Sequence, residues 1–460
     1  MPRAHQFDYD LIIIGSGAGG SLAATLTAEQ GKKVAIIEAE TFGGESPNWS
    51  DVPINALSSA AQIYDQAKHG ARFGIRSSTI GYNYPSLKAW KDLAISRTGA
   101  GGNRRYYENR GISTFSGLAH FLSPNEISVN RRHLSARHFL VATGSNWIIP
   151  NITGLKDIDY YTPKTILNII RPPKSLLIIG GGDSGVEIAQ LMATFGTKVY
   201  IVEQANHLLP KRDKEVGELT AKLLNDRKGI TCLTHSNAVA ITKDKLAKKI
   251  YINRAGVEKT IKVDDILVAT GRTPNTDLGL ENAGVKYNKD GIRVNQYLQT
   301  SASHIFAAGD VIGHNSHTHT ALLESRVAAN NIFNHNKIYL DYQSMPEVIF
   351  TYPGIASVGL TEEEAKKRQI AAKTAFVPLN IIARSNTADF ADGFVKIITN
   401  SRGVIIGASI VAPEAGEIIQ ELVLAVRHKM TAKDIALTPH AFLSWSEAIR
   451  ADQTALPRGT

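Results

Sequence analysis

Two copies of one local pattern, widely separated along the chain, constrain the fold of this sequence more than any other feature. In the first copy, an apolar run at residues 10–14 leads into the glycine turn GSGAGG at 15–20 and then into a helical stretch rich in Ala and Leu. A second apolar run at 34–37 follows and ends on Glu38. Short apolar runs bounded by turn residues predict buried parallel strands.

The second copy has the same parts in the same order. An apolar run at 176–179 leads into the turn GGGDSG at 180–185, a helix predicted through Met192, and an apolar run at 199–202 that ends on Glu203. Strand, glycine turn, helix, strand and acidic residue together make a dinucleotide-binding βαβ unit. One glycine motif alone is a weak signal, but two in full context predict that the chain binds two dinucleotides.

The residue types in these turns follow from the chemistry of a dinucleotide. The first glycine allows a tight bend, the second lets the backbone approach the pyrophosphate, and the third lets the helix pack against the strand. The helix N-terminus favours the negative charge of the pyrophosphate, and the acidic residue accepts a hydrogen bond from a ribose 2′-hydroxyl. The predicted site residues are Gly15, Gly17, Gly20 and Glu38 in the first copy and Gly180, Gly182, Gly185 and Glu203 in the second.

The second copy also predicts which nicotinamide cofactor is used. A carboxylate at Glu203 repels a 2′-phosphate, and residues 204–207 contain no arginine to attract one. We therefore expect NAD(H) in preference to NADP(H).

Length and composition fit a globular protein of several domains. The 460 residues exceed a single hydrophobic core, and 43% hydrophobic with 20% charged residues exclude a disordered or fibrous chain. No apolar run has membrane-spanning length and the N-terminal segment lacks the apolar core of a signal peptide, so we expect a cytoplasmic protein without membrane insertion. The net charge of +9 comes from scattered Lys and Arg, which favours a solvated basic surface over a nucleic-acid partner.

From about residue 343 the pattern of apolar and polar residues changes. A hairpin-like segment at 348–360 precedes the capping box TEEE at 361–364, and apolar runs at 395–399 and 404–411 precede a helical pattern at 415–428. Strands and helices in this order predict an α+β domain.

Further motifs give the chain a family resemblance along essentially its whole length. They are GG at 43–44, ATG at 142–144 and 269–271, ATGRTPN at 269–275, AAGD at 307–310, and FTYPGIASVGLTEEEA at 350–365. With the glycine turns, they resemble those of the class I pyridine nucleotide-disulfide oxidoreductases, the family of dihydrolipoamide dehydrogenase, mercuric reductase, glutathione reductase and soluble transhydrogenase.

The resemblance implies an α/β fold with two Rossmann-like dinucleotide-binding domains, the two-dinucleotide-binding flavoprotein fold, and a C-terminal α+β dimerisation domain that makes a homodimer. The implied domains are an FAD-binding domain at 1–152, an NAD(H)-binding domain at 153–272, a return to the FAD-binding domain at 273–342, and the dimerisation domain at 343–460. The cofactors are then FAD and NAD(H).

The resemblance also assigns residues to each cofactor. To the first copy it adds, as FAD-binding residues, Gly44, Ala119, Thr143, Gly144 and Asp310, the last of which binds the ribityl chain. To the second copy it adds Gly271 as a residue that binds NAD.

The redox centre of the family is where this chain departs from it. In GGESPNWSDVPINAL at 43–57, Ser46 and Asp51 stand where the family has its two redox-active cysteines. The chain has a single cysteine, Cys232, in the apolar run ITCL, where we expect a small buried side chain. One cysteine cannot form a disulfide within the chain.

The catalytic base of the family is missing as well. In HAFLSWSE at 440–447, Phe442 stands in the place of the catalytic histidine, and Glu447, which orients that histidine in the family, is kept. Without an imidazole to orient, Glu447 is expected to be a structural or exposed carboxylate, and His440 matches an earlier histidine of the family rather than the base.

Two further changes are implied to lie beside the flavin. Asn55 replaces a lysine that the family pairs with a glutamate, while that glutamate is kept as Glu187, and Asp183 stands at the gate of the nicotinamide pocket. We predict Glu187, Asp51 and Asn55 as flavin-adjacent catalytic residues. Buried carboxyls without partners tend to take up protons, so we expect a raised pKa for one or more of Asp51, Asp183 and Glu187, and the sequence leaves open whether they are ionised or protonated.

The sequence predicts no metal site. Histidines at 314, 317 and 319 are close in sequence, but they follow the Asp310 turn, where the family begins the helix under the flavin.

Three functions follow from these features. The first is an FAD-dependent NADH oxidoreductase that passes hydride from NADH to FAD and on to a non-disulfide acceptor, namely a second nicotinamide, a quinone or O2. The alternative is a catalytically silent pseudoenzyme that keeps FAD and NAD as structural or sensing ligands, so whether the chain is an enzyme stays open at this point. A dihydrolipoamide dehydrogenase-type reductase would require a thiol pair that the chain lacks.

Overall fold

The computed structural model describes residues 7–76, 79–98, 103–245, 247–314 and 317–454. These fall into two compact units. The first unit comprises Met1–Leu57, Pro85–Ile148 and Gly271–Leu340, and the second comprises Ser58–Tyr84, Ile149–Thr270 and Asp341–Thr460. The helix Asp51–Lys68 begins in the first unit and ends in the second.

The first unit is built on a seven-stranded sheet. In spatial order its strands are Ser113–Ser116, Val34–Glu38, Tyr9–Ile14, Arg132–Val141, Glu126–Val129 and Ala119–Ser123, with Ile305–Ala307 also paired to Arg132–Val141. The strands that carry the apolar runs pair in parallel, and their side chains are almost entirely buried. Because these strands are buried on both faces, their sequences are continuous apolar runs rather than alternating apolar and polar residues.

Helices of the first unit cover this sheet and connect its strands. The α-helices are Ala18–Glu29, Glu45–Trp49, Tyr84–Arg97, Arg104–Glu108 and Thr318–Phe333. Short 3-10 helices lie at Leu280–Ala283 and Asp310–Ile312, and two-stranded pairs are formed by Ser145–Trp147 with Arg272–Pro274 and by Tyr287–Asn288 with Gly291–Ile292.

The second unit contains a second parallel sheet, and an antiparallel sheet is inserted in the chain before the last parallel strand. The parallel sheet has the order Thr231–Leu233, Lys198–Val202, Ser175–Ile179 and Asp265–Val268, and the antiparallel sheet has the order Ser236–Asp244, Ala247–Arg254 and Val257–Val263. The helices of this part are Pro163–Ile166, Asp183–Thr194 and Lys214–Lys228, with 3-10 turns at Gly70–Phe73 and Leu155–Asp157.

The C-terminal part of the second unit is a five-stranded antiparallel sheet with helices. Its strand order is Pro346–Ile349, Gly354–Gly359, Ile405–Ala412, Phe394–Asn400 and Ala372–Pro378. The helices are Glu362–Lys367, Ala383–Thr387, Ala415–Arg427, Ala432–Leu437 and Glu447–Thr454, and 3-10 turns lie at Tyr342–Ser344 and Leu379–Ile381.

A buried lysine joins this sheet to the helix Lys214–Lys228. The side chain of Lys396 is 2% exposed, and its Nζ lies 3.1 Å from Asp213, 3.1 Å from Glu215 and 2.8 Å from Glu362. Because the ammonium group is surrounded by carboxylates, its burial is compensated.

Several predicted elements are confirmed in detail. The apolar runs of both copies are strands, the segment from 348 contains an antiparallel pair, and the capping box at Thr361 forms with Glu364. Within the part of the chain that the structure describes, none of the helices has the length and apolar character needed to cross a membrane.

Candidate functional site

The first glycine turn has the backbone geometry that its three glycines predict. Gly15 has φ +105°, and a Cβ there would lie 2.1 Å from the carbonyl oxygen of Ala142. A Cβ on Gly20 would lie 2.1 Å from the oxygen of Gly15, so both positions exclude a side chain. A Cβ on Gly17, the residue that caps the helix Ala18–Glu29, would meet only one heavy atom of the described residues within 4 Å, the Cα of Gly44 at 3.8 Å.

The second glycine turn has the same kind of backbone geometry. Gly180 has φ +110°, and a Cβ there would lie 2.3 Å from the carbonyl oxygen of Ala269. A Cβ on Gly185 would lie 2.2 Å from the oxygen of Gly180, whereas one on Gly182 would meet nothing within 4 Å. In both turns, therefore, the first and third glycines are required by the chain itself, and the second keeps the approach to the helix open.

In each copy, the acidic residue at the end of the second strand accepts hydrogen bonds from the backbone of the glycine turn in the same copy. The carboxylate of Glu38 accepts hydrogen bonds from Ser16 N at 3.0 Å, Ser16 Oγ at 2.6 Å and Glu40 N at 2.8 Å. A carboxylate has about four lone-pair sites, so Glu38 retains capacity for a ribose hydroxyl.

Glu203 makes the matching contacts in the second unit. Its carboxylate accepts hydrogen bonds from Gly181 N and Ala205 N, both at 2.7 Å. Glu203 is almost fully buried, so its negative charge is fixed beside the turn. The residues of both turns fit a dinucleotide, since each turn has an open second glycine, free N–H groups at a helix N-terminus and an acceptor for a ribose hydroxyl.

Gly44 contributes to the first turn through a close backbone approach. It has φ +68°, and a Cβ there would lie 2.5 Å from the Cα of Gly17. Glycine is therefore required at position 44, although the neighbouring residues of the segment differ from those of the family.

A cluster of charged residues surrounds Asp310, the residue predicted to bind the ribityl chain. Asp310 Oδ2 accepts a hydrogen bond from Ser145 Oγ at 2.6 Å and lies 3.4 Å from Arg272 Nε. Arg272 donates from Nη1 to Glu45 Oε1 at 2.6 Å and from Nη2 to Glu45 Oε2, so the pair is bidentate. The guanidinium lies 4.5 Å from the centroid of the Trp147 ring.

Glu45 is a residue that sequence reasoning missed. Burial raises the pKa of its carboxyl, and the nearby Asp310 and Asp51 raise it further, while Arg272 acts in the opposite direction. The available signal was its position between Gly44 and Ser46, next to the place of the missing cysteine.

The remaining predicted FAD residues are Thr143 and Gly144, in a turn after a strand, and Ala119, at the start of another strand. Thr143 Oγ1 donates to the carbonyl oxygen of Asn275 at 2.7 Å, and Asn275 N donates to the oxygen of Gly144 at 3.0 Å. The ATG motif at 142–144 is thereby tied to the ATGRTPN motif. Ala119 is buried at the start of the strand Ala119–Ser123.

Ser46 and Asp51, in the places of the missing cysteines, are in direct contact. Ser46 Oγ donates a hydrogen bond to Asp51 Oδ2 at 2.8 Å, and Thr318 Oγ1 donates to the same oxygen at 2.5 Å. Asn55 Nδ2 donates to the backbone oxygen of Asp51 at 3.0 Å. Ser50 Oγ donates to the other carboxylate oxygen of Asp51, Oδ1, at 3.3 Å. The expectation that Asp51 lacks a partner is therefore wrong, because three hydroxyl groups donate to its carboxylate.

Asp183 also has a partner that the sequence did not reveal. Arg212 Nη2 donates to Asp183 Oδ2 at 2.8 Å, and Arg212 Nη1 pairs with Glu347. Glu187 Oε1 accepts a hydrogen bond from Phe350 N at 2.7 Å. The expectation of a carboxyl without a partner is thus wrong for Asp183, and Glu187 accepts a backbone hydrogen bond.

The predicted catalytic residues and one nicotinamide residue are divided between the two units. Asp51 and Asn55 belong to the first unit, and Glu187 belongs to the second. Gly271, with φ +112°, falls in the first unit, unlike the rest of the predicted nicotinamide site. The grouping of these residues around a flavin stays a prediction.

The C-terminal segment at 440–447, which carries the catalytic base in the family, has Phe442 in the place of that base. The side chain of Phe442 is 75% exposed, and Glu447 Oε2 accepts a hydrogen bond from Leu443 N at 2.8 Å. His440 Nε2 lies 2.9 Å from Glu421, and its Nδ1 lies 2.8 Å from the oxygen of Thr438. The Leu443 contact gives Glu447 a local structural role.

Two other features concern metals and thiols. Among the described residues, no group of three or more His, Cys, Asp or Glu side chains is arranged to hold a metal ion. Burial raises the pKa of the Cys232 thiol to about 11.

Comparison with known proteins places this geometry in a family. The family model described as pyridine nucleotide-disulphide oxidoreductase matches residues 9–325, and the dimerisation domain of the same family matches 345–453. The chain is 34% identical to a mercuric reductase of Staphylococcus aureus over 96% of its own length and 81% of that protein. It is 36% identical to a dihydrolipoyl dehydrogenase of Geobacillus stearothermophilus over 97% and 96%, respectively.

A solved structure agrees with these relatives. A Cu(II) complex of the HOCl-induced flavoprotein disulfide reductase RclA from Escherichia coli superimposes with a TM-score of 0.86 at 25% identity, covering 98% of this chain and 100% of that one. The predicted fold class is thereby confirmed. The chain belongs to the pyridine nucleotide-disulphide oxidoreductase family of flavoproteins and carries its dimerisation domain.

Proposed function

We propose that this protein is an FAD-dependent NADH oxidoreductase that delivers electrons to an acceptor other than a disulfide, namely a second nicotinamide, a quinone or O2. The observation that carries the proposal is the Ser46–Asp51 hydrogen bond, in the place of the redox-active cysteines of the family, in a chain with one cysteine. FAD, when bound, supplies the two-electron chemistry.

The two glycine turns supply the binding steps. The open approach at Gly17 and Gly182 suits the close contact of a pyrophosphate with backbone N–H groups. Glu38 and Glu203 accept from ribose hydroxyls while they brace the turns. We propose FAD at the first turn and the nicotinamide dinucleotide at the second.

The choice of NADH over NADPH rests on Glu203. Its carboxylate is buried and held by two backbone N–H groups, so it cannot turn away from a ligand. A 2′-phosphate about 5 Å from this charge would meet a repulsion on the order of 3 kcal/mol at an effective dielectric constant near 20. That energy corresponds to a loss of affinity of about 100-fold.

The pair in the place of the cysteines is suited to hold or move a proton but not electrons. Asp51 Oδ2 accepts hydrogen bonds from both Ser46 and Thr318, so a proton that reaches this oxygen can be passed to a hydroxyl beside it. An organic acceptor such as a quinone takes up protons along with electrons. We propose that Asp51 and Ser46 handle that proton, and that Asn55, through its bond to the backbone of Asp51, keeps the start of the helix in place.

Assembly follows from the C-terminal region. The dimerisation domain of the family covers 345–453, and we propose that the protein works as a homodimer. Its electron acceptor is a small molecule.

The proposal is tested by anaerobic titration of the FAD-loaded protein with NADH. We expect the flavin absorbance near 450 nm to bleach within seconds, and lipoamide, glutathione disulfide and Hg(II) to give no turnover, because no dithiol is available. A screen with quinones and nicotinamide analogues then identifies the acceptor.

Matched variants check the two binding sites. Gly17→Ala and Gly182→Ala introduce methyl groups that the chain tolerates, since neither position has φ > 0 and no contact shorter than 3.8 Å arises. We expect Gly182→Ala to keep FAD but bind NADH weakly, and Gly17→Ala to lose FAD. A flavin that stays oxidised at saturating NADH in the wild type would sink the proposal and favour a binding protein without turnover.

A further inference from the structure

We propose that Arg212 is a positioning residue that neutralises Asp183 at the mouth of the second glycine turn, so that a nicotinamide dinucleotide can bind there. The inference rests on the proposed function, since it concerns the same nicotinamide site. It adds a residue outside the glycine motif, one that the motif does not predict.

Arg212 is held in place by the backbone of its own segment. Leu209 N donates a hydrogen bond to the oxygen of Gly181 at 2.8 Å, and Arg212 N donates to the oxygen of Leu209 at 2.9 Å. A Cβ on Gly181 would lie 2.6 Å from the side chain of Leu208, so this segment packs directly against the turn. The guanidinium therefore has a fixed position relative to the glycine turn.

The side chain of Arg212 is buried between two carboxylates. It is 5% exposed, with Nη2 on Asp183 at 2.8 Å and Nη1 on Glu347. Its Nε has no hydrogen-bond partner among the described residues. A buried guanidinium with a donor to spare is an uncommon arrangement, and its positive charge acts strongly on nearby groups in a medium of low dielectric constant.

The position of Asp183 explains why such a cation is needed. Asp183 is the first residue of the helix Asp183–Thr194, directly after Gly182. A carboxylate in the first turn competes with a pyrophosphate for the same N–H groups and the same end of the helix dipole. Arg212 cancels that charge and leaves the helix N-terminus available to an anionic ligand.

The test measures the dissociation constant of NADH on FAD-loaded protein by equilibrium dialysis, so that it does not depend on turnover. We expect Arg212→Gln to weaken NADH binding tenfold or more, because it exposes the charge of Asp183. Arg212→Lys keeps the charge and should stay within about threefold of wild type. The double variant Arg212→Gln/Asp183→Asn should recover affinity to within about threefold, because the charge to be neutralised is also gone.

The results separate a positioning role from a merely structural one. If the triple variant Arg212→Gln/Asp183→Asn/Glu347→Gln, in which both carboxylates that contact Arg212 are also removed, binds NADH as weakly as Arg212→Gln, or if Arg212→Gln binds as well as wild type, the proposal is overturned. If Arg212→Gln does not fold, the test is done with the variant Arg212→Gln/Asp183→Asn/Glu347→Gln. This variant leaves no unpaired carboxylate, and weak binding of NADH by it would also overturn the proposal.

Failure of the proposed function gives a different result. A wild-type protein that binds NADH in dialysis but is not reduced by it contradicts the proposed oxidoreductase activity, while the recovery in the double variant still supports the role of Arg212. A wild-type protein that binds no NADH overturns both.

Discussion

Replacing Arg272 by methionine removes the cation that neutralises Glu45, and we expect the free energy of unfolding at pH 7.5 to fall by about 2–3 kcal/mol. Breaking a fully buried ion pair by removing one partner costs about 3–5 kcal/mol, whereas an exposed pair contributes about 0–1 kcal/mol. The side chains of Arg272 and Glu45 are 19% and 29% exposed, so the expected loss lies between these limits. Methionine keeps the apolar contact of the side-chain stem, which confines the change to the charge.

The loss should depend on pH because burial raises the pKa of Glu45. For a group whose pKa is higher in the folded protein, the stabilising contribution is complete below the unfolded value of about 4.5 and disappears as the pH rises through the folded value. Arg272 lowers the pKa of Glu45, so its removal raises that pKa further. The protonated fraction of Glu45 is then larger at pH 5 than at pH 7.5, so we expect a smaller destabilisation at pH 5.

Urea unfolding of the FAD-loaded wild type and variant at both pH values, with the same excess of free FAD, measures the effect. The double variant Arg272→Met/Glu45→Gln is the control, because it removes both partners of the bidentate pair; it should recover the part of the loss that comes from Glu45, while Asp310 still lacks its guanidinium. A loss below about 0.5 kcal/mol, or equal losses at the two pH values, would refute the account of Glu45 as a buried carboxyl held by Arg272.

Two further predictions concern Cys232 and Lys396. Cys232 is half-buried, whereas the sequence predicted a buried side chain, and with a pKa of about 11 its thiol should be about 0.1% ionised at pH 8. An aromatic disulfide reagent should therefore label it slowly in the folded protein and rapidly in urea, and fast labelling of the folded protein would contradict the raised pKa. Lys396→Met leaves Asp213 without its buried cation and should lower the free energy of unfolding by about 3–5 kcal/mol. If a urea titration gives a loss under about 1 kcal/mol, Lys396 and Asp213 do not behave as a buried ion pair.

The fold was predictable wherever the chain repeats a local rule. Apolar runs located the parallel strands, because strands buried on both faces need apolar residues at every position. Glycines at 15 and 180 were predictable because the backbone there has positive φ and meets another backbone within 2.3 Å. The Thr361 capping box was readable since all its hydrogen bonds lie within four residues.

The charged partners at the candidate site were not predictable in the same way. Glu45 and Arg272 are separated by 227 positions, and Asp183 and Arg212 by 29. No local rule pairs side chains at such distances, since the pairing depends on how strands and turns come together. The sequence therefore suggested unpartnered carboxyls, whereas the structure gives Asp51 three hydroxyl donors and Asp183 a guanidinium.

The hydrogen bond between Ser46 and Asp51 sets the number of electrons that a subunit can store. A disulfide holds two electrons when it is reduced, in addition to the two that a flavin takes up, but a serine and an aspartate hold none. With one cysteine in the chain, no dithiol within a subunit can add to that capacity. With the proposed FAD bound, each subunit would store two electrons rather than four, and oxidants that convert thiols to sulfenic acids or disulfides would not remove this capacity.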